Sequence, residues 1–388
     1  MIHTLRLTDQ RKSHKMQELL TKALSMALEN HIALWRTRRE TLVWLVLAII
    51  RTGTVSLWRL AGHIDTRAQT LSVHRRFERF FQHIRLDDGC TARLIVDIMG
   101  LSGTPWHLAL DRTNWKFGRR HVNILMLGVV HGNVCIPLFW VLLGKAGNSN
   151  ARERIDLMAR LREVFPEQPL ASLSGDREFI GERWMNWLHK QGIPFVLRLK
   201  ENMFVCNEEH VPVKLSAHAR HLKKRQSRIL KGTWYLGRDP AKPATPVKIA
   251  MLRLKTGEML IVAASGIRIK AALAIYRNRW SIETLFSCLK TRGLGLEDTH
   301  MTDPLKLATL LAVLALAFCL AYKAGLWAAR LKPPRHKAHG RLQRSIFALG
   351  LNALRKAMVK SSEPESGHLM AALLTSKIPR SPQIGWVL

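Results

Sequence analysis

The spacing of apolar residues divides the chain into a helical beginning, a middle of alternating strands and helices, and a helical end. Residues 13–95 repeat apolar positions every three or four residues, which predicts a helical N-terminal region over residues 1–100. Within it, the stretches VSLWRLAGHI and LSVHRRFERFFQHI flank a short polar turn, Asp65-Thr66-Arg67. Two short amphipathic helices joined in this way resemble a helix-turn-helix.

The second of these stretches has a basic face. A helix-turn-helix places its second helix in the major groove of DNA, so we predict that these arginines contact DNA. A plain helical hairpin with a solvated basic face is the alternative. The arginines are Arg75, Arg76, Arg79 and Arg85.

The pattern changes at about residue 106. Apolar runs and amphipathic stretches now follow in the order strand, strand, strand, helix, strand, helix, strand. The second and third runs are split at His131-Gly132-Asn133, which is a hairpin signal. This order predicts an α/β fold in which a mixed sheet carries helices on its faces.

The same pattern sets the predicted domain boundaries. The α/β core takes residues 101–202 and 267–330. Residues 203–266 alternate like strands around a basic segment, which predicts an inserted β subdomain. Residues 331–388 predict a basic, helical C-terminal region.

The charge of the chain narrows the class of partner. It has 61 Lys and Arg against 28 Asp and Glu, a net charge of +33, while 47% of its residues are hydrophobic. A folded protein with this excess predicts a polyanionic partner, nucleic acid before an anionic membrane surface; a charge that serves solubility alone is the alternative. The uncharged run Leu307–Tyr322 is shorter than the ~20 residues that span a bilayer, so we predict a buried helix and no membrane association.

Two further features bear on the compartment. The five cysteines form no CxxC pair, so the sequence favours a reducing cytosol over a disulfide framework or a zinc site. The first residues, MIHTLRLTDQRKSHK, contain no apolar signal region.

Four polar residues in the segment IYRNRWSIETLFSCLK share one spacing pattern. Tyr276, Arg279, Glu283 and Lys290 are separated by three, four and seven residues, which on one helix places them in a stripe roughly 60° wide. One carboxylate between two cations and a phenol suits phosphodiester chemistry, since a metal ion and a phosphate would bind side by side. The apolar residues of the neighbouring face are predicted to pack inward: Ile275, Ile282, Leu285, Phe286 and Leu289.

Two further carboxylates are placed where α/β proteins form sites. Asp111 ends the strand WHLALD and Asp176 ends the strand LASLSGD. Metal-dependent nucleases bring about three carboxylates to two ions, so Asp111, Asp176 and Glu283 are the candidate catalytic and metal-binding set.

Each of these acids has a structural alternative. An aspartate after a strand commonly forms a turn or caps a helix. Glu283 alone could be a solvated residue that pairs with Arg279 four positions earlier. Glu178 and Glu182 also lie near Asp176, and they are predicted to form a helix-face pair with Arg183 and other local bases instead of joining the site.

The order Asp, Asp, Glu, with the last in Tyr-x2-Arg-x3-Glu-x6-Lys, resembles the DDE transposases of bacterial insertion sequences. Within them it is similar to insertion sequence family four, whose signature is this tetrad. LALDRTNWKFG and SGDREFIG resemble that family's first and second aspartate regions. The resemblance covers about residues 105–330.

The resemblance implies an RNase H-like core in which the Asp111, Asp176 and Glu283 side chains bind two Mg²⁺ ions, with Mn²⁺ as a substitute. It implies cut-and-paste transposition: the 3′ ends of the element are cut, a DNA hairpin forms and is reopened, and the 3′-OH ends attack target DNA. Tyr276, Arg279 and Lys290 would then hold phosphates near the terminal nucleotide.

Relatives also stack a flipped base on an aromatic residue of the β insertion. Trp234 is the candidate here, and a packed tryptophan of the subdomain is the alternative.

The implied partners are double-stranded DNA, namely terminal inverted repeats and target DNA, and a second copy of the chain on that DNA. The implied place is the bacterial cytoplasm, at the nucleoid. The other functions that fit are an RNase H-like nuclease or domesticated transposase without integration activity, and a non-catalytic DNA-binding protein.

Overall fold

The computed structural model describes residues 21–22, 24–209, 211–237, 245–338, 342–359, 369 and 373. The start of the predicted N-terminal helix and most of the predicted C-terminal tail therefore lie outside the described residues. The helices are α1 (24–29), α2 (Arg36–Thr52), α3 (Leu57–Ala61), α4 (Thr70–His83), α5 (Asp88–Ile98), α6 (Ala151–Val164), α7 (Glu182–Lys190), α8 (Leu215–Ala219), α9 (Ile269–Asn278), α10 (Ser281–Leu289), α11 (Pro304–Leu331) and α12 (Ile346–Val359).

The strands follow from residue 106 onward, as the apolar pattern predicts. They are β1 (Trp106–Phe117), β2 (Arg120–His131), β3 (Val134–Leu142), β4 (Leu170–Gly175), β5 (Phe195–Arg198), β6 (Phe204–Cys206), β7 (Pro212–Lys214), β8 (Ser227–Ile229), β9 (Trp234–Leu236), β10 (Pro246–Arg253) and β11 (Met259–Ser265).

The chain divides into two compact units. The helical unit contains Met1–Ser102, Trp115–Arg120 and Leu285–Leu388. The sheet unit contains Gly103–Asn114 and His121–Thr284. The two ends of the chain, predicted as separate helical regions, thus belong to one unit, because α11 packs against α2, α5 and α12.

Helix α11 is the core of the helical unit, and nearly every residue from Leu307 to Leu326 is buried. Asp303 caps its start by accepting a hydrogen bond from the Lys306 backbone N–H, and Pro304 lies in the first turn. Its length and mean hydropathy of 2.2 would suffice for a membrane span, but 78% of its most apolar window is buried inside the protein. The expected buried helix is confirmed.

The predicted helix-turn-helix corresponds to α3 and α4, which pack together. Phe77 and Phe81 lie on the buried face of α4, while Arg75 and Arg79 are exposed. Arg76 points instead to α2, where it donates to the Thr37 carbonyl, the Thr41 hydroxyl and the Glu40 carboxylate, and it stacks over the Trp44 ring. Arg85 lies beyond the end of α4, so its predicted place on that helix is wrong.

The sheet has the predicted mixed character. Its strand order is β3-β2-β1-β4-β5-β11-β10-β9-β6-β7, and β8 pairs with β10. Strands β1, β4 and β5 are parallel, whereas β2 and β3 form an antiparallel hairpin that turns at Gly132 with a φ of 61°. The first five strands, with α6 and α7 as their connections, form the α/β core of the sheet unit.

The predicted β insertion contributes to this same sheet. Strand β11 pairs antiparallel with β5, and β10 pairs with β11, so these two strands extend the core sheet. The short strands β6, β7 and β9 follow at the far end of the strand order.

Candidate active site

Asp111 and Asp176 are neighbours because two parallel strands are in register. Leu110 of β1 pairs with Gly175 of β4. Asp111 directly follows Leu110, and Asp176 directly follows Gly175. Asp176 directly follows β4, as predicted. The prediction that Asp111 ends its strand is wrong, since β1 continues to Phe117 after its pairing with β4 has stopped.

The third carboxylate comes from a helix that differs from the predicted one. The single helix expected over Tyr276 to Lys290 is two helices, since α9 ends at Asn278 and α10 begins at Ser281. Glu283 lies in the first turn of α10, and Arg279 lies at the junction. The predicted continuous helix is thus divided by a turn at Arg279 and Trp280.

The apolar face of α9 fixes the position of Tyr276. Ala272 and Tyr276 pack into a buried cluster with residues of β5, β10 and β11, including Val196 and Val262. Only 2% of Tyr276 is exposed, and its hydroxyl donates to Asp176 Oδ1 at 3.0 Å. The core of the extended sheet therefore holds this phenol against the second aspartate.

Arg279 connects the acids. Its Nη1 donates to Asp111 Oδ2 at 2.5 Å and its Nη2 donates to Glu283 Oε1 at 2.8 Å. The residue is 4% exposed, and the guanidinium lies 5.6 Å from the Tyr276 ring centre. The pairing of Glu283 with Arg279, which the sequence offered as an alternative to a catalytic role, is thus present within the site itself.

Burial and charge set the protonation of the site. Burial raises the pKa of Asp111 to about 6, an effect that Arg279 and the Arg112 backbone N–H partly offset. Burial alone would also raise the pKa of Asp176, but the Arg177 backbone N–H, Arg279 and the Tyr276 hydroxyl together lower it below its usual value. The two aspartates therefore differ, and Asp111 is the one whose negative charge is poorly stabilised.

Burial and neighbouring charges also set the pKa values of Tyr276 and Arg279. Burial raises the pKa of Tyr276 to about 12, so the phenol remains a hydrogen-bond donor. Burial by itself would lower the pKa of Arg279, but Tyr276, Asp111, Asp176 and Glu283 raise it, so the guanidinium stays charged. Arg279 contacts Asp111 and Glu283 directly, and the Tyr276 phenol beside it contacts Asp176, so the three carboxylates border this one pair of side chains.

Arg112 and Arg198, which sequence reasoning missed, each contact one of these aspartates. The Arg112 backbone N–H donates to Asp111 Oδ1, and Arg198 lies beside Asp176. Arg112 binds Glu178 through two hydrogen bonds of 3.1 and 3.2 Å. Glu178 lies before α7, so its predicted pairing with Arg183 on a helix face is wrong. Arg198 ends β5 beside β4, and its Nη1 lies 3.7 Å from Asp176 Oδ1. Arg198 could have been predicted as a polar residue that ends the strand after Asp176.

The arrangement fits divalent cations, with one condition. The donors are carboxylate oxygens, which Mg²⁺ and Mn²⁺ prefer, and the buried charge of Asp111 would be stabilised by a cation. Among the described residues, no three His, Cys, Asp or Glu side chains are close enough together to hold one ion. The Arg279 guanidinium lies between Asp111 and Glu283, so a cation at these acids requires that this side chain move.

The remaining predicted contact residues lie elsewhere. Lys290 follows α10 in the helical unit, where its Nζ lies 2.7 Å from Glu297 Oε1 and 5.2 Å from the Trp115 ring centre. Trp234 is 8% exposed, donates from Nε1 to the Lys231 carbonyl and packs edge-on against His218. Its surroundings match the alternative of a packed tryptophan.

Residues 102–320, more than half of the chain, match the family described as the transposase DDE domain. The chain belongs to the DDE transposase family. It is therefore a transposase by family. The match includes Asp111, Asp176 and Glu283.

Other comparisons add little to this assignment. No curated protein matches the chain. A cryo-EM structure of the piggyBac transposase synaptic complex with hairpin DNA is similar with a TM-score of 0.42 and 12% identity, over 95% of this chain and 84% of that one. A likeness at this level carries no functional argument.

Proposed function

We propose that this DDE transposase is the enzyme of an insertion sequence similar to family four, and that Asp111, Asp176 and Glu283 are its catalytic carboxylates. The observation that carries the proposal is their convergence: two aspartates follow paired positions of adjacent parallel strands, and all three acids act on Arg279. The tetrad Tyr276, Arg279, Glu283, Lys290 supports the choice of family.

The acids would act by holding two divalent ions, Mg²⁺ or Mn²⁺. When bound, such ions activate the attacking oxygen and stabilise the leaving oxygen of a phosphodiester. Asp111 and Glu283 are released for this task when Arg279 turns away from them. Tyr276 keeps Asp176 oriented and ionised through its hydroxyl.

Arg279 would then bind the substrate. A guanidinium suits bidentate contact with phosphate oxygens, and the side chain that pairs with carboxylates in this structure can exchange them for a DNA phosphate. Lys290 is proposed to add a point charge for the phosphates near the terminal nucleotide. The exposed Arg75 and Arg79 are proposed to contact DNA outside the site, whereas Arg76 is committed to α2.

The proposed sequence has four steps: water cuts the 3′ ends, the freed 3′-OH attacks the opposite strand and closes a DNA hairpin, water reopens the hairpin, and the regenerated 3′-OH attacks target DNA. Each step is an in-line attack of an oxygen on a phosphodiester, so one site serves all of them. Two ends must be cut and joined together, which favours a homodimer on DNA. The setting is proposed to be the nucleoid of a bacterial cytoplasm.

The first experiment uses the DNA that flanks the gene. Terminal inverted repeats found there are placed on a labelled duplex, which is incubated with the protein and Mg²⁺. We expect nicks at the repeat boundary, and transfer of the 3′ ends to a target plasmid. Nicks without transfer would favour the nuclease or domesticated transposase, and binding without nicks would favour a non-catalytic DNA-binding protein.

Substitutions test the assigned carboxylates. We expect Asp111→Asn, Asp176→Asn and Glu283→Gln each to slow cleavage by about 100-fold or more, because the electrostatic stabilisation of the transition state is lost. DNA binding, measured by fluorescence anisotropy, should be retained. Glu182→Gln, an exposed residue of α7, is the matched control and should cleave normally. Normal cleavage by Asp176→Asn would show that the assigned site is wrong.

A further inference from the structure

A large basic groove lies within the helical unit, between the end of α11 and α12. Its volume is about 750 Å³. The chain leaves α11 at Leu331, passes Pro333 and Pro334, and returns to the groove in α12. The lining includes five basic side chains and one aromatic: Lys332, Arg335, Arg344, Arg355, Lys356 and Trp327.

The positive charge of this groove is not balanced by acidic side chains among the described residues that line it. None of the residues that line it is an Asp or Glu. Lys332, Arg335, Arg344 and Lys356 are exposed, and none of them forms an ion pair with a carboxylate in the described part of the chain. Several like charges around one cavity repel one another in the free protein, so an anion in the groove would relieve this repulsion.

The groove also has a fixed floor. The Arg355 Nε donates to the Ile50 carbonyl at 2.7 Å, which anchors this half-buried side chain at the end of α2. Trp327 is half-buried in α11 and is one of the residues that line the groove. Basic side chains gathered along one groove attract the phosphate backbone of nucleic acid whatever its sequence.

We propose that this groove, defined by Trp327, Lys332, Arg335, Arg344 and Lys356, is a second DNA-binding surface of the protein, separate from the carboxylate site. The choice of DNA as the polyanion rests on the proposed transposase function. The exposed cations contact consecutive phosphates, and Trp327 packs against the sugar or base edge between them. The surface binds any sequence, because these contacts are to the backbone.

The test measures the affinity of the protein for duplex DNA in EDTA. Fluorescence anisotropy reports this affinity at a series of salt concentrations. The variant Arg335→Gln, Arg344→Gln, Lys356→Gln should bind at least about tenfold more weakly near 0.1 M salt. Its plot of log affinity against log salt should be shallower by about 2 to 3, since each lost phosphate contact removes ~0.9 from the slope. Trp327→Leu should weaken binding without changing the slope.

The matched control removes the same charge from the sheet unit. Lys190, Lys255 and Lys270 are exposed there, and their triple Gln variant should bind within about threefold of the wild type. Equal losses in both triple variants would overturn the proposal, because the effect would then be one of net charge. Unchanged binding by the groove variant, or a groove that binds polyglutamate but not DNA, would overturn it as well.

Two further readouts separate the possible failures. The melting temperature of the triple Gln variant of the groove should equal that of the wild type, because the three replaced cations are exposed. Binding in EDTA does not depend on cleavage. If the wild-type protein never cuts DNA, that result contradicts the proposed function but leaves the proposal for the groove unaffected. If the wild type cleaves normally and the groove variant binds DNA as tightly as the wild type, the groove proposal is refuted and the proposed function stands.

Discussion

At the scale of single residues, one guanidinium organises the site. Arg279 pairs with Asp111 and Glu283 while its burial is nearly complete, so it neutralises acids that would otherwise repel one another. The same contacts place it in competition with any cation that those acids bind. Arg279 therefore has two roles that exclude each other in time: partner of the carboxylates, and proposed partner of DNA.

This competition gives a direct prediction. Arg279→Gln should bind Mn²⁺ about tenfold or more tightly than the wild type, because a unit charge a few ångströms from a divalent ion is worth more than ~1.4 kcal/mol at an effective dielectric constant near 20. Isothermal titration calorimetry without DNA measures this affinity. Arg183→Gln, an exposed residue of α7, should leave it unchanged. Weaker binding by Arg279→Gln would mean that the guanidinium supports the cation site.

A second residue-scale prediction concerns Tyr276. Its hydroxyl helps to keep the pKa of Asp176 below the usual value, so Tyr276→Phe should raise that pKa. Cleavage should then be lost at a higher pH than in the wild type as the solution is acidified, because Asp176 must be ionised. The free energy of unfolding should fall by about 1 kcal/mol with the lost hydrogen bond. An unshifted acid limb would show that the contact is structural only.

At the scale of elements, close packing decides how helices meet. A Cβ atom on Gly350 of α12 would lie 1.7 Å from the Ala321 carbonyl oxygen of α11, and one on Gly325 would lie 1.9 Å from the Ile346 carbonyl oxygen. Both distances are far below van der Waals contact. The two helices therefore approach backbone to backbone, and this approach fixes the buried position of α11.

The contact predicts the effect of one methyl group. Gly350→Ala should lower the free energy of unfolding by at least about 2 kcal/mol, because the helices must separate, and the ~1 kcal/mol that alanine adds to helix propensity does not offset this. Urea denaturation measures it. Gly62→Ala is the matched control, since the nearest atom to its Cβ would be the Arg59 carbonyl oxygen at 3.7 Å. Equal effects of the two changes would refute the packing argument.

At the scale of the whole molecule, a buried lysine connects parts of the helical unit. Lys323 of α11 is 2% exposed, and its Nζ donates to the Ile98 carbonyl at 2.8 Å and to the Leu373 carbonyl at 3.2 Å. Burial lowers its pKa from 10.5 to about 8, although Asp97 and Cys319 act in the opposite direction. The folded protein thus holds this proton less tightly than the unfolded chain does.

The sign of the resulting pH dependence follows from this difference. Between pH 8 and 10.5 the unfolded chain binds more protons at this residue, so stability should rise with pH, by about 3 kcal/mol over the interval. Relative to the wild type, Lys323→Met should lose this rise, as measured by urea denaturation at several pH values. Lys337→Met, an exposed lysine of the same unit, should keep it. A rise that persists in Lys323→Met would assign it to another group.

The sequence by itself determined the elements and the chemistry. The order of strands and helices, the hairpin at Gly132 and the capped start of α11 depend on neighbouring residues, so local spacing predicts them. The acids Asp111, Asp176 and Glu283, with their tetrad, could also be singled out from the sequence.

Only the tertiary structure decided how these parts meet. The register of β1 and β4 puts Asp111 beside Asp176. The helix predicted over Tyr276 to Lys290 is broken at Arg279, and the hydrogen bond from Arg279 to Asp111 joins residues 168 positions apart. Arg76 and Lys323 also have partners distant in sequence: Arg76 donates to a carbonyl of α2, and Lys323 donates to buried carbonyls. A helical period fixes which face a residue occupies, but the partner on that face depends on contacts distant in sequence, and these form only when the whole core packs.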